Sequence, residues 1–123
     1  MMRPAVRRLD ASEEFATSER CAIVEVSNSA DDPAMSIARA RVAPGLTTRW
    51  HRLEGTAERY VILSGTGRVE VGDDLREEVR EGDVVLIPPG ARQRIANTGD
   101  RDLVFLAICT PRFSQDNYEE LDE

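Results

Sequence analysis

Four side chains in this sequence have the types and spacing for chemistry: His51, Glu58, Tyr60 and Gln93. His51 is the only histidine in the chain. An imidazole serves as a metal ligand, as a general base near neutral pH, or as a hydrogen-bonded structural group. Glu58 opens a segment in which alternate residues Tyr60 and Ile62 share its face, so its carboxylate must be paired, metal-bound or protonated to tolerate desolvation. Arg39, Arg41 and Arg49 are the candidate ion-pair partners. Tyr60 brings a hydroxyl that can donate a proton; the alternative is a core ring with its oxygen at the rim. Gln93 can offer its carbonyl oxygen to a hard or borderline divalent ion, or its amide to a ligand.

The elements that must position these groups read as strands. From Cys21 onward apolar residues recur with period two, and turn residues interrupt them at short, regular intervals. The predicted strands are Ala22 to Val26, Ser36 to Val42, Arg49 to Leu53, Glu58 to Leu63, Gly67 to Val71, Asp83 to Ile87, Arg92 to Ala96 and Leu103 to Thr110. Between them lie Asp31-Asp32-Pro33, Pro44-Gly45, Ser64-Gly65, Gly72-Asp73-Asp74, Pro88-Pro89-Gly90 and Asn97-Thr98-Gly99-Asp100, all good turn sequences. Residues 1–20 form a charged arm with at most one helical turn near Ser12 to Phe15. Residues 112–123 form a tail, with a short acidic helix predicted over Asp116 to Glu123 and Phe113, Tyr118 and Leu121 as its apolar anchors.

Two short stretches carry a family resemblance. The first runs Pro44-Gly45, five residues, His51, one residue, Leu53, four residues, Glu58, then six residues to Gly65. The second runs Gly82, five residues, Pro88, one residue, Gly90, two residues, Gln93, three residues, Asn97. In glycines, prolines, carboxylate and spacing the chain resembles the cupin superfamily, in particular its small single-domain members. It departs from them at Leu53 and Gln93, where a cupin carries histidine. The resemblance implies an all-β fold, a double-stranded β-helix (jelly-roll barrel) over residues 21–111, with the short arm and the short helical tail at its ends. It further implies that His51, Glu58 and Gln93 point into the barrel as a reduced metal-ligand set, lined by Leu53, Tyr60, Ile62 and Ile95. Arg52, Arg59, Arg92 and Arg94 then lie outside, as does Trp50.

The function so implied is binding of a polar small molecule, such as a sugar or an organic acid, in the barrel. A weakly held divalent metal (zinc, nickel, iron or manganese) at His51, Glu58 and Gln93 is the candidate cofactor. The alternatives are a metal-free isomerase or epimerase with His51 as base and Tyr60 as acid, and a non-catalytic ligand-binding or regulatory module.

Composition narrows the classes. Sixteen basic residues against 23 acidic give a net charge of −7, which repels phosphate backbones, so nucleic acid is not an expected partner. All the basic residues are arginine, so Schiff-base and lysine-base mechanisms are excluded. No apolar run has the length of a signal peptide or a membrane span, and a cytoplasmic location is expected. Cys21 and Cys109 read as reduced packing residues. Val84 to Ile87 and Val104 to Ile108 are apolar on both faces. Their outer faces are expected to meet a second copy in a homodimer; the alternative is cover from the arm or the tail.

Overall fold

The period-two alternation becomes two facing antiparallel sheets in the computed structural model, which describes residues 2–121. One sheet has six strands in the order β1 (Phe15–Ala16), β2 (Ala22–Ser27), β3 (Ser36–Val42), β10 (Leu103–Thr110), β5 (Ala57–Ser64) and β8 (Val84–Ile87). The other has five: β11 (Tyr118–Glu120), β4 (His51–Leu53), β9 (Gln93–Asn97), β6 (Thr66–Val71) and β7 (Leu75–Arg80). This is the predicted double-stranded β-helix. Inward side chains of both sheets, among them Val42, Tyr60, Ile62, Val69, Ile95, Leu103 and Phe105, fill the space between them.

Three elements differ from the expectation, all for one physical reason. β7 forms although only Val79 of its six residues is buried, because the hairpin ladder to β6 holds it and no buried face is needed. The tail is not a helix: a single 3-10 turn over Gln115–Asn117 leads into β11, which pairs with β4. Asp122 and Glu123, the end of the expected helix, lie outside the described residues, as does Met1. The arm holds one 3-10 turn, Ala11–Glu13, as expected, and then adds β1 to the edge of the six-stranded sheet. Backbone ladders form these short edges, and ladders leave no side-chain signature.

Gly65 makes the turn between β5 and β6, where the chain crosses from one sheet to the other. Its φ is +86°, and a Cβ there would sit 2.7 Å from the Asp102 carbonyl oxygen. Only glycine avoids both costs.

The outer surface separates as strand parity requires. Trp50 faces away from the barrel interior and is covered by the guanidinium groups of Arg92 and Arg94, 4.2 and 4.4 Å from its ring centre. On the six-stranded sheet Val85 and Ile87 point inward, whereas Val84 and Leu86 are 57% and 70% exposed. β1 lies at the opposite edge from β8, and β11 belongs to the other sheet, so neither strand of the terminal segments pairs with β8. Among the described residues no helix is long and apolar enough to cross a membrane.

Candidate functional site

The site lies at one end of the barrel and draws on both sheets. His51 and Gln93 are direct cross-strand partners on β4 and β9. Glu58 and Tyr60 come from β5 in the facing sheet, beside Cys109 and Ala107 of β10. All four predicted site residues are buried, Gln93 completely. His51, Glu58, Tyr60 and Leu53 line a cavity of about 50 Å³. A second pocket of about 180 Å³ adjoins it and shares Glu19, Ile23, Glu58, Ala107, Phe113 and Tyr118 as walls.

His51 is held by its Nδ1 atom, which lies 2.9 Å from the Arg49 carbonyl oxygen and 3.2 Å from Glu19 Oε2. Both neighbours are acceptors, so Nδ1 carries the hydrogen and donates it, and in the neutral ring Nε2 is the free lone pair. Tyr118 stacks on the imidazole with ring centres 5.6 Å apart. A buried carboxylate behind a histidine fixes its tautomer and ring orientation.

Glu58 has no arginine partner. Arg39 and Arg41 pair with Glu14, and Arg49 pairs with Glu120. Its Oε2 accepts a long contact from the Cys109 thiol at 3.7 Å; Oε1 is buried with no hydrogen bond of good geometry, although the Gln93 side chain lies close enough to pull the carboxyl pKa down. Burial raises its pKa to about 7, against the opposing pull of the His51 charge. Burial also pushes the Glu19 carboxyl up, with His51 again acting in the other direction. Cys21 and Cys109 are both free thiols, and burial drives each upward, Cys21 to about 11, which keeps them neutral.

Tyr60 donates its hydroxyl hydrogen to Gln93 Oε1. That bond bears on two of the expectations. The tyrosine expected to act as an acid is committed to Gln93, and burial holds its pKa well above the ordinary phenol value. The carbonyl oxygen expected to coordinate a metal is committed as well, while the amide nitrogen of Gln93 is buried with no partner. Leu53 has no donor atom. What remains of the predicted set for a divalent ion is one imidazole nitrogen and one carboxylate, and among the described residues no three histidine, cysteine or acidic side chains gather as a metal cage. The residues present do not fit a cupin metal centre, which takes several imidazoles and a carboxylate.

Sequence reasoning missed two contributors. Glu19 sits in a charged arm with no periodicity to show that it turns inward. Tyr118 read as an apolar anchor; its ring does pack inward, but its hydroxyl is buried without a partner beside the cavity. Asn97, expected to be structural, donates to the carbonyls of Val42 and Arg101 and ties β9 to its surroundings.

Comparison with known proteins follows this geometry. Residues 38–109 match the family described as the Cupin domain, more than half of the chain. An uncharacterized protein of Methanocaldococcus jannaschii is 34% identical over 87 residues, 71% of this chain and 69% of that one. An oxalate-binding protein of Thermotoga maritima is 38% identical over 76 residues, 61% of each chain. In fold alone, the chain is similar to a variant of the Streptomyces protein Pac13 solved with uridine, with a TM-score of 0.77 at 14% identity, covering 94% of this chain and 90% of that one; Pac13 is described as a nucleoside dehydratase. With barrel, motif glycines and inward histidine–glutamate pair all in place, the chain belongs to the cupin family.

Proposed function

We propose that this cupin binds a small polar molecule in the mouth of its barrel and transfers a proton on it with His51 and Glu58, through a site that needs no metal ion. One observation carries the reading: a histidine held from behind by Glu19 shares a cavity with a buried glutamate whose Oε1 has no partner. His51 Nε2 takes a proton from the bound molecule, and Glu19 and Glu58 stabilise the resulting imidazolium. The Glu58 carboxyl, whose pKa burial raises to about 7, delivers a proton to an oxygen of the same molecule and so becomes the carboxylate that faces the imidazolium. No electrons change hands, so the reaction class is isomerisation or dehydration of a small hydroxylated compound. Tyr60 acts through Gln93, aligning its amide, and not as the acid.

The fold-level likeness to a nucleoside dehydratase and the sequence similarity to an oxalate-binding protein support occupation of the barrel by a small molecule. The acting unit is a homodimer, for reasons that belong to the whole molecule.

The test is carbon–hydrogen exchange. Small hydroxy-carbonyl compounds incubated with the protein in heavy water should lose the C–H signal next to the carbonyl, as followed by proton magnetic resonance. His51→Gln and Glu58→Gln should each stop the loss. Exchange that persists undiminished in both variants overturns the mechanism. Saturable binding without exchange of any compound leaves the protein a binding module.

A further inference from the structure

We propose that the ligand of the barrel mouth is a small cation, an amine or quaternary ammonium compound, whose charged nitrogen lies between the carboxylates of Glu58, Glu19 and Glu25 and the rings of Phe113 and Tyr118. This ligand class rests on the mouth being the binding site.

The larger pocket is built as a graded acidic channel. Glu58 forms its floor and is buried, Glu19 lies part-way up with a side chain 19% exposed, and Glu25 stands exposed at the rim. The cationic groups facing these three carboxylates are few. His51 stands behind Glu19 and Glu58, and Arg112 lies near Glu25 while donating to Asn28 Oδ1 at 2.7 Å. An anionic ligand would have to give up its hydration beside like charges, which no basic side chain on the pocket wall offsets. A cation gains from each of the three in its ionised form, and by binding there it favours that form.

Two further features point to a ligand and not to a merely solvated acidic face. Glu58 Oε1 and the Tyr118 hydroxyl are buried without partners, and both residues line the pocket. Three aromatic rings join the acidic groups in the wall: Phe113 and Tyr118, which meet edge to face at 6.4 Å, and the half-exposed Phe15. Ring faces attract a cation placed within ~6 Å of their centres, and a carboxylate–aromatic corner recognises ammonium groups that cannot all be satisfied by hydrogen bonds. The volume of about 180 Å³ lies below the ~300 Å³ at which pockets for drug-sized molecules begin, so the ligand has a short body.

Choline and its uncharged isostere 3,3-dimethyl-1-butanol have one shape and differ in charge; 1,4-diaminobutane supplies a primary amine and oxalate an anion. Isothermal titration of the whole chain with these four compounds should show choline or 1,4-diaminobutane binding at least about tenfold more tightly than the neutral isostere, and oxalate more weakly still. Glu25→Gln, at an exposed rim position, should lower the affinity for the amine several-fold and leave that for 3,3-dimethyl-1-butanol and the melting temperature unchanged. Equal affinity for choline and its isostere with no binding of 1,4-diaminobutane, tighter binding of oxalate, or failure of both amines overturns the cation assignment. If hydrogen exchange still depends on His51 in that case, the site reading survives without it. If exchange is independent of His51 while the amines bind, the ligand class stands and the catalytic reading falls.

Discussion

Glu58 is a carboxyl group whose charged form the fold disfavours. Its pKa of about 7 in the folded chain stands above the ordinary 4.5, so the folded state binds this proton more tightly than the unfolded one. The stabilisation is complete below about pH 4.5, declines as pH rises toward 7, and is gone above it; at 1.36 kcal/mol per unit it is bounded by about 3 kcal/mol. Glu58→Gln removes the charge and keeps the volume. Urea denaturation should therefore show the variant close to wild type at pH 5 and more stable by about 1–3 kcal/mol at pH 8. A difference that does not change with pH would refute the burial argument. At Gln93 the lost chemistry can be restored. Gln93→His places a second imidazole directly across the ladder from His51, and with Glu58 it makes three donors. Zinc affinity of metal-stripped protein, measured by isothermal titration, should rise by at least about tenfold over wild type, and His51→Ala in the same background should cancel the gain. No gain would mean that position 93 does not face the same point as His51 and Glu58.

At the scale of elements, Gly65 tests the crossing between sheets. Gly65→Ala forces a Cβ against the Asp102 carbonyl at a positive φ, and chemical denaturation should show a loss of roughly 1–3 kcal/mol. The same turn explains what was legible in the sequence. Motif glycines and alternating apolar residues are side-chain properties, so β3, β5, β9 and β10, which bury one face, appear within a residue or two of their predicted bounds. The burial of His51, Glu58, Tyr60 and Gln93 on the inner faces followed from the same parity. β7 and β11 form by pairing backbone to backbone, and their side chains show no alternation to read. The site was legible to the same extent. Its floor comes from the motif strands; Glu19 and Tyr118 come from the two terminal segments, where only the folded chain shows that both reach the same cavity. The bond from Tyr60 to Gln93 could not be read either, because parity gives a shared interior and not a partner.

For the whole molecule, the outer face of the six-stranded sheet is the feature that a single chain leaves unexplained. Register places Ile37, Ile108, Arg59 and Leu86 in one row across β3, β10, β5 and β8, and Arg39, Leu106, Val61 and Val84 in the next. Six of these eight side chains are aliphatic, and the two most exposed, Val84 and Leu86, lie on an edge strand that neither β1 nor β11 borders. A contiguous apolar face on a chain with net charge −7 supports the proposed homodimer, since the rest of the molecule repels its copies. A second copy related by a twofold axis would cover Val84 and Leu86 with the same residues of its partner, an arrangement that closes at two chains. Leu86→Asp separates the two states of assembly. In an isolated chain Leu86 is 70% exposed, and a charge there should shift stability by no more than about 0.5 kcal/mol. In a dimer the same charge would be buried without a partner and should dissociate it. Sedimentation at micromolar concentration should give two chains for wild type and one for Leu86→Asp, with both folded by circular dichroism. A wild type that sediments as a single chain would remove the dimer and leave the apolar face in water.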